Sequence, residues 1–205
     1  QGFTAMKFRC GAESSAKAES ERARVVRNAV GPDVKIMVDI NEGWDIPRTM
    51  EVARYFEAHN VYWLEDPIQH NDLAGYNQLV NALDIPITTG EYHYGHRPIY
   101  DLVCAGAADI VMIDAHHVGG FDPWMKAAAV CEMANRPVAT HLSPELAVHL
   151  GAATSNLLTV EYMPWSFGLF NESMDLDING DLKLPQGPGL GVTLNEGAVQ
   201  AGLVS

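Results

Sequence analysis

Acidic side chains close the apolar runs of this chain at nearly constant intervals. Asp39 follows Lys35-Ile36-Met37-Val38, Glu65 follows Tyr62-Trp63-Leu64 26 residues later, and Glu91 follows Ile87-Thr88-Thr89-Gly90 after another 26. Asp114, His141 and Glu161 continue the series after steps of 23, 27 and 20 residues. The runs themselves are short and apolar or β-branched: Phe3 to Phe8, Val34 to Ile40, Tyr62 to Leu64, Ile87 to Thr89, Ile110 to Ile113, Val138 to Thr140 and Leu157 to Glu161. Each reads as a buried strand, and all but the last lead into a helix-forming stretch. In Ser15 to Val30, for example, Ala16, Ala23, Val26 and Val30 recur at helical spacing. Gly31-Pro32, Asn60 and Asn135-Arg136-Pro137 stand where helices should stop. Strands alternating with helices at this pace predict an α/β fold with a parallel sheet.

The polar strand ends choose between two ways of arranging such a sheet. A barrel gathers the C-terminal ends of successive strands around one site. An open doubly wound sheet binds its ligand at a single switch point, with a glycine-rich phosphate loop. Neither GxGxxG nor GxxxxGK[ST] occurs in the chain, so a TIM-type barrel is expected. In that arrangement Asp39, Glu65 and Glu91 meet at the mouth, where three unneutralised carboxylates could not all stay ionised. A hard divalent cation resolves the conflict, and an all-oxygen set suits Mg²⁺ better than zinc, which more usually recruits His or Cys. Taken singly, each acid is more simply a solvated strand end or a helix cap; the equal spacing argues for the set.

Composition narrows the partners. Asp and Glu number 26 against 13 Lys and Arg, a formal charge of -13, so the chain lacks the phosphate-neutralising cations of a nucleic-acid binder, and an anionic membrane is excluded with it. Apolar runs break well before the roughly 18 residues that span a bilayer, and no basic-then-apolar leader opens the sequence, which reads as cytoplasmic. Cys10, Cys104 and Cys131 show neither CxxC nor zinc-finger spacing and read as buried small hydrophobes.

Several motifs follow in order along almost the whole chain: Gly2-Phe3-Thr4-Ala5-Met6-Lys7-Phe8-Arg9, Val38-Asp39-Ile40-Asn41, Trp63-Leu64-Glu65-Asp66-Pro67, Thr89-Gly90-Glu91, Asp109 to Asp114 with Gly119-Gly120, His141 and Glu161. Together they resemble the enolase superfamily, and within it the mandelate racemase subgroup. The resemblance implies a modified (β/α)7β TIM barrel in which Asp39, Glu65 and Glu91 hold Mg²⁺. It implies an enediolate, formed when a proton leaves the carbon next to a substrate carboxylate. It also implies that the chain opens almost on the second barrel strand, with the first strand and an N-terminal α+β capping domain lying outside it. Residues 1–170 are then barrel, from the second strand to the eighth, and residues 171–205 a tail whose hairpin packs back on the barrel or the cap. A barrel lacking one strand exposes two edges, from which association with itself, as a homo-oligomer, or with the missing segment is expected.

A histidine at one strand end beside a carboxylate on the preceding strand can act as a general base, and the resemblance assigns His141 and Asp114 that role. A hydrogen-bonded structural histidine is the plainer alternative. Glu161, if protonated, adds a donor for the developing oxyanion. Lys7 and Arg9, two apart, project from one strand face. The subgroup usually reads Lys-x-Lys here, with the second lysine as a base on the face of the substrate opposite the histidine. Arginine stays protonated and suits charge stabilisation better than proton abstraction. The expectation is therefore dehydration of an acid sugar to a 2-keto-3-deoxy acid, with His141 as base and then acid. Racemisation or epimerisation is the alternative, as is a barrel whose chemistry was lost at Arg9. A metal-dependent hydrolase would want His-x-His at an early strand end, where Lys7-Phe8-Arg9 and Asp39-Ile40-Asn41 stand.

Asn41, Tyr92 and His93 are candidate contacts to a small hydroxy-acid substrate. His116-His117 reads as loop rather than a metal pair, since strand neighbours point opposite ways. Asp175 to Asp181 begins like a calcium loop but carries Gln186 at its twelfth position, and Asn179-Gly180 reads as a tight hairpin turn.

Overall fold

A computed structural model describes residues 2–202; Gln1 and the last three residues of the expected tail, 203–205, lie outside the described residues. Seven strands alternate with helices: β1 (Ala5–Arg9), α1 (Ala16–Val30), β2 (Lys35–Asp39), α2 (Ile46–Ala58), β3 (Val61–Glu65), α3 (Leu73–Ala82), β4 (Ile87–Thr89), α4 (His96–Cys104), β5 (Ile110–Asp114), α5 (Phe121–Met133), β6 (Val138–His141), α6 (Pro144–Ala152) and β7 (Leu157–Thr159). A 3₁₀ turn (Pro164–Leu169) and a last helix, α7 (Glu196–Gly202), follow. The strands form one parallel sheet in sequence order, β1 to β7, which curls as part of a TIM barrel. Sequential order leaves no switch point, in keeping with the absence of a phosphate loop.

Local chemistry sets the helix limits. The side chains of Ser15, Asp45 and Asp72 accept the backbone N–H of Ala18, Arg48 and Gly75 at 3.2, 2.8 and 2.9 Å, capping α1, α2 and α3. Asn60 and Asn135 take left-handed φ values of 54° and 55° after α2 and α5. At the far end of the sheet from the site, Arg27 ties α1 to the starts of β2 and β3. Its guanidinium donates to the carbonyls of Gly31, Pro32, Val34, His59 and Asn60.

Alternation along each strand divides the interior in two. Ile36, Val38, Leu64, Ile87, Val111, Ile113 and Val138 join Phe56, Tyr76, Leu79, Ile99 and Trp124 in the main core, each large apolar side chain contributing about 1.5–3 kcal/mol. Met37, Trp63, Ile110, Met112 and Ala139, at the alternate positions, form a second cluster. The same alternate rows end in polar groups: Met37 leads to Asp39, Trp63 to Glu65, Met112 to Asp114 and Ala139 to His141. Apolar packing below thus fixes what sits at the mouth.

β1 and β7 are the edges of the sheet and do not pair with one another. Between them lies a cavity of about 860 Å³, lined by Lys7, Met37, Trp63, Leu157, Glu161 and the tail residue Leu182 among others. The tail contributes a hairpin in which Leu176 bridges Leu182. Its turn is built by Asp177, whose carboxylate accepts the N–H of Asn179 and Asp181, so this acid serves a turn rather than a calcium loop. Cys10 and Cys131 are buried, but Cys104 is exposed; it ends α4 and so falls outside the packed face. No helix among the described residues is long and apolar enough to cross a membrane.

Candidate active site

Strand register brings the polar ends level. Arg9 pairs with Asp39 and Asp39 with Glu65 across β1, β2 and β3, while Asp114 pairs with His141 across β5 and β6. Gly90 carries the chain past β4 with φ +136°, and a Cβ there would meet the Met112 carbonyl oxygen at 2.4 Å. Only glycine permits that approach, and with it the placement of Glu91.

Glu65 is fully buried, accepting from Trp63 Nε1 at 2.9 Å and from Lys7 Nζ. Lys7, level with Met37 one row below, also contacts Glu161 Oε1 at 2.8 Å. Burial alone would lower the lysine pKa, but Glu65 and Glu161 hold it well above the ordinary value. Burial pushes Glu65 up against the pull of Lys7, and raises Glu91 in spite of His141 and Lys7.

His141 Nδ1 and Asp114 Oδ2 are 2.6 Å apart. Asp114 Oδ1 accepts the backbone N–H of His116 and His117 at 2.7 and 2.8 Å. Burial works against ionisation of Asp114, yet the hydrogen bonds from His141 and the His117 N–H keep it below the usual carboxylate range. Burial would lower His141, but Asp114, Glu91 and Glu161 raise it above the ordinary histidine value. A carboxylate at Nδ1 leaves Nε2 as the free nitrogen. It lies 3.3 Å from Glu91 Oε2, without hydrogen-bond alignment.

The structure departs from the sequence reading at four places. Arg9 is exposed, and its guanidinium has no ion-pair partner among the described residues; one row above Lys7, it stands at the rim instead of in the cluster. Glu161 accepts from Lys7 and from the Leu142 N–H at 2.7 Å rather than donating. Asp39 Oδ1 accepts the Asn41 N–H at 2.8 Å, and among the described residues the three acids with oxygens within 4.8 Å of one another are Glu65, Asp66 and Glu91. Asp66 is the group that sequence reasoning missed. It is fully buried, its pKa is raised by burial and then by Glu91 and Glu65, and its Oδ2 has no partner. Strict alternation would send it away from Glu65, but β3 ends at Glu65 and a left-handed φ of 39° turns Asp66 back. The adjacent Pro67, marking a turn, was the available signal.

Around this cluster the loops interlock. Asn41 Nδ2 donates to the Tyr92 hydroxyl at 2.6 Å, and Glu42 Oε1 lies 2.7 Å from His70 Nδ1. His93 is buried. His116 and His117 fall in the turn after β5, where His117 Nδ1 meets the Glu91 carbonyl at 2.7 Å and its ring stacks on Tyr94.

Known proteins share this fold. Residues 1–198 match the family described as enolase C-terminal domain-like. The chain is 34% identical over 96% of its length to L-talarate/galactarate dehydratase of Salmonella typhimurium, covering 49% of that protein. It is 30% identical over 97% of its length to arabinonate dehydratase of Saccharolobus solfataricus, covering 55% of it. Racemases and epimerases are matched as well. Among solved structures, L-talarate dehydratase from Polaromonas sp. JS666, complexed with Mg and L-glucarate, superposes with a TM-score of 0.91 at 36% identity. That match covers 97% of this chain and 55% of the other. The chain therefore spans about half the length of the curated relatives it matches.

Proposed function

The chain belongs to the enolase C-terminal domain-like family, and on that footing we propose that the whole protein dehydrates an acid sugar to a 2-keto-3-deoxy acid. Asp39, Glu65 and Glu91 would hold Mg²⁺, with Asp66 adjoining them. The fit is supported by an all-oxygen donor set and by two buried carboxylate oxygens that accept no hydrogen bond, Glu91 Oε2 and Asp66 Oδ2. When bound, Mg²⁺ supplies positive charge for the substrate carboxylate as proton loss makes it an enediolate.

The observation that carries this reading is the contrast between the two bases on offer. His141 has a free Nε2 and a carboxylate behind it, whereas Lys7 is held as an ammonium by two carboxylates. His141 Nε2 takes the α-proton, and Asp114 stabilises the imidazolium that results. The same imidazolium returns a proton to the β-hydroxyl as its C–O bond breaks, so that water leaves and the enol product tautomerises to the keto acid. Lys7, already charged, holds the substrate carboxylate instead of taking a proton. Racemisation would need a second base on the opposite face.

His141→Asn should abolish both turnover and exchange of the α-proton with deuterated solvent, because Asn cannot accept a proton. Lys7→Met should impair turnover less. Exchange that survives in the His141 variant and disappears in the Lys7 variant would transfer the role of base to lysine and restore racemisation or epimerisation as the better reading.

A further inference from the structure

Among the described residues, the three acids proposed to hold Mg²⁺ differ in how their oxygens are fixed. Glu65 has both oxygens hydrogen-bonded: Oε1 accepts from Lys7 Nζ, and Oε2 accepts the Trp63 indole N–H at 2.9 Å. Asp39 has one such bond, from the Asn41 N–H, and Glu91 Oε2 accepts none. Trp63 and Glu65 lie two apart on β3, so they share a strand face, with the indole one row beneath the carboxylate. Trp63 is itself held in place. It is 2% exposed, packs with Met37, Met112 and Ala139, and its ring tilts against that of Tyr62 at 5.7 Å between centroids. A second fully buried indole gives the contrast. Trp124 Nε1 donates at 3.2 Å to the Ile113 carbonyl, a main-chain partner that satisfies a buried N–H and nothing more. The Trp63 N–H goes to an acid at the mouth.

We propose that Trp63 is a positioning residue for the metal, its indole N–H fixing the plane of the Glu65 carboxylate for Mg²⁺. The proposal rests on the reading above that Glu65 holds the ion. Indole only donates, so it neither takes a proton nor stands in for the acid as a ligand. It is also neutral. An ammonium on a carboxylate offsets part of the charge that attracts a cation, whereas an indole N–H orients the carboxylate and leaves that charge in place. Lys7 is divided between Glu65 and Glu161, and on the same reading it turns to the substrate carboxylate as well. The Trp63 N–H has Glu65 as its one partner among the described residues, so one oxygen stays fixed whichever way Lys7 turns. Each carboxylate oxygen accepts more than once, so the bond to Trp63 leaves Glu65 able to bind a cation.

The test is calorimetric titration of the whole protein with Mg²⁺. Trp63→Phe removes the donor but also volume, so the decisive variant is Trp63→3-benzothienylalanine, in which sulfur replaces the N–H and the ring shape is kept. Its Mg²⁺ affinity should fall about tenfold or more, as expected when a metal ligand loses the group that orients it. Trp63→Phe should lose at least as much. Trp124→3-benzothienylalanine, which removes a buried N–H that reaches no ligand, should change the affinity less than about twofold. A loss below about twofold at Trp63, or equal losses at Trp63 and Trp124, overturns the proposal and leaves Glu65 a ligand. An unaltered protein that binds no Mg²⁺, or a Glu65→Gln variant that binds it as tightly, overturns the metal reading, and the proposal with it.

Discussion

Removing the Lys7 ammonium tests how the mouth tolerates its own charge. In metal-free Lys7→Met, Glu65 stays fully buried near Asp39 and Glu91 but loses the cation shared with Glu161. Breaking a buried ion pair by deleting one partner costs about 3–5 kcal/mol. The Lys7 and Glu161 side chains are 18% and 13% exposed, so we expect the lower end, about 3 kcal/mol. At about 2–4 °C per kcal/mol for a chain of this size, Tm should fall by about 6–12 °C. The pH dependence follows from Glu65. Its folded pKa is raised above its unfolded value, so its ionisation destabilises the fold. That penalty is absent below the unfolded pKa and grows as pH climbs toward the folded one. Lys7 has the opposite sign: its contribution is full below 10.5 and is lost only as pH rises through its elevated folded pKa. The deficit of Lys7→Met should therefore be small near pH 4.5, where Glu65 is protonated in both proteins, and should grow as pH rises through the folded pKa of about 8. Denaturant titrations in EDTA, followed by circular dichroism, measure it. Adding Glu65→Gln removes the stranded charge and should recover most of the loss. A cost below about 0.5 kcal/mol for the single variant, the ordinary range for surface changes, would refute the reasoning. So would a double variant that loses the full sum of its parts.

Glu65→Gln alone should weaken Mg²⁺ binding by about an order of magnitude or more in calorimetry, since an amide cannot replace the lost charge; unchanged affinity would remove Glu65 from the metal. Gly90→Ala should destabilise by about 2 kcal/mol or more, read from the urea midpoint, because its Cβ collides with a backbone carbonyl and its φ disfavours any side chain. Arg27→Ala should cost about 2–3 kcal/mol through five lost charge-assisted hydrogen bonds. Its Mg²⁺ affinity should not change, since the clamp lies where β2 and β3 begin.

The strands were legible because a parallel sheet covered on both faces leaves continuous apolar runs, and Ile36-Met37-Val38 or Ile110 to Ile113 have no other reading. The pairing of Asp114 with His141 was legible for a related reason: each closes its run, and neighbouring parallel strands in register place such ends side by side. Asp66, Glu42 and His70 were not, because their positions depend on backbone turns after strands end, where alternation no longer applies. Asp66 and Glu42 both adopt positive φ, a conformation uncommon outside glycine that glutamate does not announce and aspartate only weakly favours. Arg9 shows the converse limit. It shares a strand face with Lys7, but one row along a strand separates a side chain in the cluster from one at the rim.

The open side of the sheet gives one of these contacts a second meaning. β1 and β7 exchange no backbone hydrogen bonds, yet Lys7 on β1 reaches Glu161 just beyond β7. Glu161 is in turn fastened to the β6 side by the Leu142 N–H and by its own N–H on Thr140 Oγ1 at 3.0 Å. A single ammonium thus joins the first and last described strands at the site, and a ligand that draws it away would break that contact while filling the mouth. Amide hydrogen exchange along β1 and β7 would then report on occupancy of the site.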